Sequence, residues 1–362
     1  MDHPVKHRDM QALADYQRRL YHQPKLRYLF FELTDQCNLN CLHCGSGCSG
    51  AQHMYLDTYM IRKVLQSVAA ECRTDSIMIC LTGGEPMLHP DIYDIIAYAK
   101  ELGFLVGITS NATLIDEKAA ELLAAAGMDT ISISIDGLQE EHDAFRQSPG
   151  SFQRALAGFQ ALQKVGIDPQ AFTVVHHNIS QLDDIYQLLL EKNVDSWRLI
   201  NMEPIGRALD HPELLLNANE IRQLLCYIRD KRFDPDNPMD VTFGCSPFLT
   251  FDLERDVRDY YFQCGAGLMV AGIRANGDIG ACLDIEPRPE LIQGNIAQDD
   301  FMTVWKTKYQ AFRTDRTANS KTCSVCQYRG VCLGDSTHTW DYNRNEPGYC
   351  FVKIWEDDQN EE

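Results

Sequence analysis

The stretch TDQCNLNCLHC occupies residues 34–44 and places Cys37, Cys41 and Cys44 at C-x3-C-x2-C spacing. It directly follows an apolar segment, LRYLFFE at residues 26–32, which predicts a buried strand. In parallel α/β barrels, the loops after the C-terminal ends of the strands carry the active site. Three thiolates satisfy three irons of a [4Fe–4S] cluster, which normally takes four protein ligands. The fourth iron of such a cluster would stay open for a substrate or cofactor.

A zinc site is the alternative interpretation of these cysteines, because C-x2-C is a common zinc element. Cys48 lies in the Gly-rich segment GSGCSG just after Cys44 and would complete a four-cysteine site. On these residues alone, both interpretations stay open.

The chain from residue 26 to residue 202 alternates between strand and helix patterns. The predicted strands are short and apolar, as buried parallel strands are, and they fall at 26–32, 76–82, 105–110, 130–136, 171–177 and 196–202. The clearest predicted helix spans 116–127, with Asp116 as N-cap and Gly127 as stop signal. Its predicted apolar stripe comprises Ala119, Leu122, Leu123 and Ala126. Six βα units in a row predict an α/β fold, a parallel sheet curled into a partial TIM barrel of about (β/α)6.

A second motif, LTGGEP at residues 81–86, follows the second predicted strand. Its two glycines would let a ligand approach the backbone closely, and Glu85 offers an acceptor for an ammonium group. Placed one βα unit after the cysteine motif, LTGGEP makes residues 26–207 resemble the radical S-adenosylmethionine (radical SAM) superfamily. His43 fills the position before the last cysteine where an aromatic-like residue is usual.

The resemblance implies that Cys37, Cys41 and Cys44 hold the cluster and that the amino and carboxylate groups of SAM chelate its open iron. It implies SAM contacts from Gly83, Gly84, Glu85, Ser110, Asn111, Ser134 and Arg146. A reduced cluster would cleave SAM to methionine and a 5′-deoxyadenosyl radical, which removes hydrogen from a strong C–H bond. The alternatives are that Asn111 and Asp136 are turn or cap residues and that Arg146 only caps or pairs on its helix.

A second group of cysteines follows far along the chain. Cys264, Gly277 and Cys282 have the spacing C-x12-G-x4-C, and four more cysteines follow at Cys323, Cys326, Cys332 and Cys350. A zinc ribbon would explain a C-x2-C pair alone. The full spacing resembles the SPASM extension of radical SAM maturases, which usually holds two auxiliary [4Fe–4S] clusters. The resemblance implies that the last four cysteines hold one cluster and that Cys264 and Cys282 belong to the other.

The chain departs from the SPASM pattern at Ser336, where many relatives carry another cysteine. Cys245 is a candidate third thiolate for the first auxiliary cluster, and Asp335 is a candidate oxygen ligand. Otherwise that cluster would have an open iron able to bind substrate sulfur, or it would be smaller or absent.

Five segments are expected along the chain. They are an N-terminal helix or arm at 1–25, the radical SAM partial barrel at 26–207, a helical connector at 208–240, a Cys-rich SPASM domain with auxiliary clusters at 241–355, and an acidic tail at 356–362. His176 and His177, at the end of the fifth predicted strand, are expected to point to opposite faces.

Charge and cysteine content restrict the compartment and the partners. The chain of 362 residues has 33 Lys and Arg against 52 Asp and Glu, a formal net charge of −19. A surface this acidic argues against nucleic acid and anionic membranes as partners. The first residues have no apolar h-region and no small-residue cleavage site, so a signal peptide is not expected, and no apolar run is long enough to span a membrane. The expected location is the reducing cytoplasm, where clustered cysteines more often bind metal than form disulfides.

SPASM-type enzymes usually modify peptides or proteins, so the resemblance implies a radical SAM oxidoreductase of the peptide-maturase type. The expected modification is a crosslink, a thioether or a related oxidation, and the catalytic residue beyond the cofactors is not identified. Expected partners are a peptide or protein substrate and an electron donor such as flavodoxin or ferredoxin. If the substrate has a leader, a separate leader-binding protein or the core must recognise it, because residues 1–25 are too few for a leader-binding domain.

Three alternatives to peptide modification stay open. Formylglycine formation, as in anaerobic sulfatase maturases, is disfavoured because Leu283 rather than an aspartate follows Cys282. Side-chain decarboxylation of a tetrapyrrole or another small molecule is the second enzymatic alternative. A non-catalytic iron–sulfur or zinc-binding module is the alternative outside catalysis.

Overall fold

The computed structural model describes residues 3–48, 54–245 and 247–354, so the predicted acidic tail lies outside the described residues. The helices are α1 His3–Leu20, α2 Thr58–Glu71, α3 Ile92–Glu101, α4 Glu117–Ala125, α5 Gln139–Phe145, α6 Ser151–Lys164, α7 Leu182–Glu191, α8 Ala218–Phe233, α9 Thr250–Val257, α10 Phe301–Thr307, α11 Lys321–Ser324 and α12 Arg329–Cys332. The strands are β1 Tyr28–Glu32, β2 Met78–Thr82, β3 Leu105–Ser110, β4 Thr130–Ser134, β5 Gln170–Val175, β6 Ser196–Asn201, β7 Asp240–Phe243, β8 Val270–Ile273, β9 Asp278–Gly280, β10 Gly294–Asn295, β11 Trp340–Asp341 and β12 Glu346–Pro347.

Ten strands form one sheet in the order β10-β9-β8-β1-β2-β3-β4-β5-β6-β7. Strands β1 to β7 are parallel, each paired with the next along the chain, and β8 lies parallel to β1 on its other side. β9 and β10 then pair antiparallel at that edge. The predicted α/β class, with a mostly parallel sheet followed by a Cys-rich region, is confirmed.

All six predicted strands are present, but the sheet is longer than the predicted six-stranded barrel. β7 pairs with β6, so residue 241 lies inside a strand of the same sheet. β8, β9 and β10 come from the Cys-rich part of the chain and extend the sheet beside β1. These strands have only two to four residues each. Runs this short carry no readable alternation, which is why the sequence did not predict them.

The main core lies between the sheet and the helices that cover it. Its strand residues occur two apart, as one face of a strand requires, and include Leu29, Phe31, Ile79, Leu81, Val106, Ile108, Ile131 and Ile133. The register places Leu29 opposite Ile79 and Phe31 opposite Leu81.

The buried face of helix α4 differs from the predicted apolar stripe. The Asp116 side chain accepts a hydrogen bond from the Ala119 N–H at 2.8 Å, and Gly127 ends the segment with a φ of +85°. The buried residues are Ala119, Ala120 and Leu123, whereas Leu122 is 40% exposed. The prediction was therefore wrong at Leu122, because the buried face is centred nearer Ala120.

Helix α1 packs on the Cys-rich part of the chain. Met10 belongs to a small apolar cluster with Phe248, Phe262, Val331 and Val352. The Gln17 side chain donates to the Cys264 carbonyl at 3.0 Å. The predicted N-terminal arm is thus a packed helix that covers the segment leading to Cys264. Across the described ranges, no helix is both long and apolar enough to cross a membrane.

Candidate active site

The loops that follow parallel strands lie at one edge of the sheet, because parallel strands end on the same side. This edge carries the cysteine loop after β1, the GGEP loop after β2, Ser110 at the end of β3 and Ser134 at the end of β4. Ser110, Asn111 and Ser134 are all buried.

The two glycines of the GGEP loop let that loop lie directly against the cysteine loop. The Gly84 N–H donates to the Thr34 carbonyl and the Glu85 N–H donates to the Gln36 carbonyl, both at 2.8 Å. A Cβ atom on Gly84 would overlap the Gln36 carbonyl oxygen. Gly83 has a φ of +139°, and a Cβ there would lie 2.5 Å from the Thr34 carbonyl oxygen. At both glycines the space that a side chain would need is filled by protein backbone, so the lack of a Cβ is what lets the two loops pack together.

We expect Gly84→Ala to disorder the cysteine loop, because the added methyl group meets backbone rather than a movable side chain. The expected cost is about 3 kcal/mol of unfolding free energy, at the upper end of overpacking costs. Iron per chain after anaerobic reconstitution should fall by about four, one cluster's worth. The matched control is Gly280→Ala in β9, where the nearest atom to an added Cβ lies at 3.9 Å. Full iron loading and an unchanged melting temperature in Gly84→Ala would contradict this account.

Glu85 connects the GGEP loop to the end of β3. Its buried carboxylate accepts from the Ser110 hydroxyl at 2.7 Å, the Asn111 N–H at 2.9 Å and the Met87 N–H at 3.1 Å. Burial raises the pKa of Glu85, and these three donors oppose that shift. A carboxylate has about four acceptor positions, so the group retains capacity for one further donor.

Asn111 fixes the cysteine loop from the other side. Its side-chain N–H donates to the side-chain oxygen (Oδ1) of Asn38 at 2.9 Å, and the Asn38 side chain in turn donates to the Thr113 hydroxyl at 2.8 Å. The side-chain oxygen (Oδ1) of Asn111 also accepts from the Thr113 N–H at 3.0 Å, which is a turn contact. Asn111 is therefore a turn residue, as one interpretation of the sequence predicted, and it also holds the cysteine loop through its hydrogen bond to Asn38.

A buried ion pair lies beneath the cysteine loop. Arg146 Nε donates to the Asp136 carboxylate at 2.6 Å, and both side chains are almost fully buried. The second Asp136 oxygen accepts from the Val174 N–H at 2.9 Å. Burial alone would raise the pKa of Asp136, but the Arg146 guanidinium holds it at about 2. Arg146 also lies 3.9 Å from the Cys41 sulfur, so it brings positive charge to the thiols.

Three rings stack beside this ion pair. His43 stacks on Phe145 at 4.4 Å and Phe145 stacks on His176 at 4.0 Å. Burial lowers the pKa of His43 to about 3, so its ring is neutral at pH 7. His177 faces the opposite side and contacts Glu220 at 3.1 Å. Phe145 was missed from the sequence because nothing in its helix pattern distinguishes it from a core residue.

Arg207 holds the far end of the cysteine loop and was also missed. Its guanidinium donates to the carbonyls of Cys41 and Cys48, both at 2.8 Å. Gly206 precedes it with a φ of +54°, and a Cβ there would overlap the Cys44 carbonyl oxygen. Burial raises the pKa of Cys48 to about 12, with further contributions from Cys44 and neighbouring acidic groups. The Gly-Arg pair after Pro204 is the only sequence signal for this contact.

A second candidate centre is a cavity of about 480 Å³. Its wall includes all four of the last cysteines, Cys323, Cys326, Cys332 and Cys350. Burial raises the pKa of Cys350 to about 11, and the N–H groups of Lys353 and Val352 lower it. Gly334 and Asp335 direct N–H groups at Cys332 in the same way. Such donors favour the thiolate, which is the form that binds iron.

The three other candidate cluster ligands, Cys245, Cys264 and Cys282, form a separate group. Burial raises the pKa of Cys282 well above its ordinary value, and Asp284, Cys264 and Cys245 add to the rise. The Cys264 sulfur lies 3.0 Å from the Thr337 hydroxyl, which also accepts from Arg316 at 2.8 Å. Thr337, one residue beyond Ser336, is a neighbour of Cys264 that the sequence did not identify.

Asp335, the candidate oxygen ligand for this group, lies in the wall of the four-cysteine cavity. Its carboxylate accepts from the Phe248 N–H at 3.0 Å, and the Ser336 hydroxyl lies 3.4 Å away. Burial raises the pKa of Asp335 to about 7.

Arg258 supports the loop that carries Cys245. Its fully buried guanidinium donates to the carbonyls of Gly244 at 3.1 Å and Pro247 at 2.8 Å. Glu254, also fully buried, lies 3.4 Å from it and neutralises its charge.

Two contacts connect the barrel edge to the Cys-rich part. His338 Nε2 lies 2.7 Å from a Glu203 carboxylate oxygen just after β6. Burial alone would lower the pKa of His338, but Glu203 raises it to about 9. On the other side, a Cβ on Gly45 would lie 3.7 Å from an Asp284 carboxylate oxygen. The loop of Cys44 and the segment of Cys282 are therefore neighbours.

Within the ranges described, no three His, Cys, Asp or Glu side chains converge closely enough to hold a single metal ion. The cavity that the last four cysteines share is larger than one ion needs. Thiols, inward N–H donors and this volume together fit an iron–sulfur group.

Comparison with known proteins gives two family matches. Residues 31–189 match the model of the radical SAM superfamily, and residues 264–327 match the model of the SPASM iron–sulfur cluster-binding domain. The AdoMet-dependent heme synthase of Methanosarcina barkeri is 27% identical over 350 residues, covering 90% of this chain and 97% of that protein. The mycofactocin maturase MftC of Mycobacterium ulcerans is 27% identical over 315 residues, covering 84% of this chain and 81% of that protein.

Among solved structures, SuiB of Streptococcus suis bound to S-adenosylmethionine superposes with a TM-score of 0.72 at 19% identity. The superposition covers 91% of this chain and 77% of SuiB. At this level of identity, the similarity establishes a common fold.

Proposed function

Because the chain belongs to the radical SAM superfamily and carries a C-terminal SPASM domain, we propose that it is an oxidoreductase acting on a tetrapyrrole with carboxylate side chains. These domains imply a SAM-bound [4Fe–4S] cluster, SAM and auxiliary iron–sulfur clusters. The substrate class is our inference from the relatives.

We assign the SAM-binding cluster to Cys37, Cys41 and Cys44. The Leu39 N–H lies 3.4 Å from the Cys37 sulfur, and Arg146 lies near the Cys41 sulfur, so both favour thiolates. One auxiliary cluster is assigned to the four-cysteine cavity. The second is assigned to Cys245, Cys264 and Cys282.

When bound, the cluster and SAM supply the hydrogen-abstracting chemistry. The chain's own residues hold the reactants. Glu85 has acceptor capacity for the amino group of SAM, while Ser110 and Asn111 fix the carboxylate that offers it. His43 presents a neutral ring beside the loop, because the pKa of His43 is far below 7.

The substrate is proposed to lie between the Cys44 loop and the segment of Cys282. Asp284 and Gly45 approach each other there, and Glu203, just after β6, contacts His338. A hydrogen-abstracting site and an auxiliary cluster would thus face the same space. Enclosure there would keep competing hydrogen donors from the reacting carbon.

The observation that carries the tetrapyrrole proposal is the alignment with a heme synthase over 90% of this chain and 97% of the relative. That alignment covers the barrel and the Cys-rich part together. Oxidative decarboxylation of a carboxylate side chain is the reaction class that we propose.

Peptide modification is the second candidate, and the alignment with the mycofactocin maturase supports it. A flavodoxin or ferredoxin donor stays a prediction for either candidate, and a separate leader-binding protein stays a prediction for the peptide candidate. Both candidates use the same cysteine assignments and differ only in what enters the space beside Asp284.

The experiment that tests the proposal offers the reconstituted enzyme iron coproporphyrin III under anaerobic conditions with SAM and reductant. We expect 5′-deoxyadenosine to form together with a product that has lost carbon dioxide and two hydrogens from a side chain. Mass spectrometry reads the product. An unchanged porphyrin, together with a mass change in a peptide co-expressed with the enzyme, would reject the tetrapyrrole proposal in favour of the peptide one.

A further inference from the structure

Val325 is the most exposed large apolar side chain in the described part of the protein, at 86%. It lies between Cys323 and Cys326, and it forms part of the rim of the four-cysteine cavity. A single exposed apolar residue needs no explanation by itself. Val325 differs from other exposed apolar residues because it lies at the rim of a cavity lined by thiols.

The rim around Val325 is basic, in contrast to the net charge of −19. Lys353 and Arg329 line the cavity mouth, and Lys321 lies four residues before Val325. Lys321 and Lys353 have no ion-pair partner among the described residues, whereas Arg329 pairs with Asp315 at 3.1 Å.

Among the described residues, two acidic side chains close to this rim in the sequence, Glu346 and Asp335, are already engaged. Glu346 accepts from the Ser320 hydroxyl at 2.7 Å and from the Lys321 N–H at 2.6 Å. Asp335 lies in the cavity wall and accepts from the Phe248 N–H. The rim of the cavity therefore includes the exposed Val325 side chain and Lys353, and Lys321 lies in the short helix just before Val325.

We propose that this rim, Val325 with Lys321 and Lys353, is the docking surface for a small acidic one-electron carrier protein of the flavodoxin or ferredoxin type. An apolar contact at the centre excludes water, and opposite charges around it steer the partner and fix its orientation. The otherwise acidic surface would repel such a carrier elsewhere, which confines it to this place.

The proposal rests on the assignment of an iron–sulfur cluster to Cys323, Cys326, Cys332 and Cys350. In the proposed step, one electron leaves the reduced carrier and enters that cluster, so the carrier is oxidised and the cluster reduced by one electron each. Cys326 directly follows Val325, and Cys323 lies two residues before it. A carrier seated on Val325 would place its own cofactor close to the cluster.

The test compares Val325→Glu with Phe233→Glu in the reconstituted full chain. Phe233, at the end of α8, is 66% exposed and serves as the matched control. Binding to flavodoxin is measured by biolayer interferometry at low and high salt. We expect Val325→Glu to weaken the affinity about tenfold, and Phe233→Glu to match the wild type. Wild-type affinity should fall as salt rises.

Reduction kinetics provide the second readout. Val325→Glu should slow reduction by flavodoxin hydroquinone about tenfold and leave reduction by methyl viologen radical unchanged. Unchanged flavodoxin binding in Val325→Glu, or equal weakening in Phe233→Glu, would overturn the proposal. A wild-type dimer that Val325→Glu dissociates would assign the rim to a second copy of this chain and would also overturn it.

If Val325→Glu loses iron, Lys353→Glu takes its place in the test. Its flavodoxin affinity and its rate of reduction by flavodoxin hydroquinone then decide whether the rim is the docking surface. A wild-type protein that holds iron at the four cysteines but binds no flavodoxin rejects the docking surface alone. A wild-type protein without iron at those cysteines rejects the cluster assignment, and the docking proposal falls with it.

Discussion

A variant with Cys37, Cys41 and Cys44 all replaced by alanine is expected to form no 5′-deoxyadenosine above background. These residues supply every thiol that we assign to the SAM-binding cluster, so no partial site remains. With three clusters at four irons each, the wild type should hold roughly twelve irons and the variant about eight. Anaerobic reconstitution, iron analysis and chromatography of SAM products measure both quantities.

The matched control removes three cysteines that lie elsewhere. Cys72 caps α2, Cys80 lies in β2 and Cys226 lies in α8, and none of them lines the cysteine loop. Their triple alanine variant should keep its iron and its 5′-deoxyadenosine. Full activity in the Cys37, Cys41 and Cys44 variant would refute the radical SAM assignment, as would bound zinc without iron in anaerobically purified wild type.

The second large effect is expected at the Arg146–Asp136 ion pair. Replacing Arg146 by methionine leaves the Asp136 charge buried without its partner, which costs about 3–5 kcal/mol of unfolding free energy. The double variant Arg146→Met with Asp136→Asn should recover much of this cost, because the buried charge is gone. Urea unfolding of the wild type, both single variants and the double variant measures the coupling. Purely additive effects would show that the pair does not act as a unit.

The same pair predicts the pH dependence. The pKa of Asp136 is lowered from its ordinary value to about 2 in the folded state. The stabilisation is therefore fully present above the ordinary carboxyl pKa and is lost as the pH falls toward 2. In Arg146→Met, the Asp136 carboxylate no longer has the Arg146 charge beside it. The difference in unfolding free energy between this variant and the wild type should therefore shrink as the pH falls from 7 to 4. A difference that is constant over this range would contradict the charge argument.

The parts that the sequence predicted well depend on local pattern. The six longer strands were readable because apolar β-branched runs alternate with helical stretches. The spacing within each cysteine motif separated the barrel group from the C-terminal group, and the structure gives the last four a common cavity.

The features that the sequence did not predict are contacts between segments that are far apart in the chain. Arg207 reaches the Cys41 and Cys48 carbonyls from more than 150 residues away in sequence, and no local pattern encodes such a contact. Arg258 resembles an ordinary surface arginine until the fold buries it under the Cys245 loop. The close packing of the GGEP glycines against the backbone of Thr34 and Gln36 is another contact between separate loops that the sequence did not reveal.

The contact of α1 with the Cys-rich part has a consequence for how the protein is made. Gln17 and Cys264 are 247 residues apart, and β1 is flanked by β2 on one side and by β8 on the other. During vectorial synthesis, α1 and one edge of β1 must wait for segments translated much later. Such high contact order slows folding and leaves apolar surface and an open strand edge exposed to aggregation meanwhile. Chaperone demand should therefore peak before β8 emerges from the ribosome, when the barrel is otherwise complete.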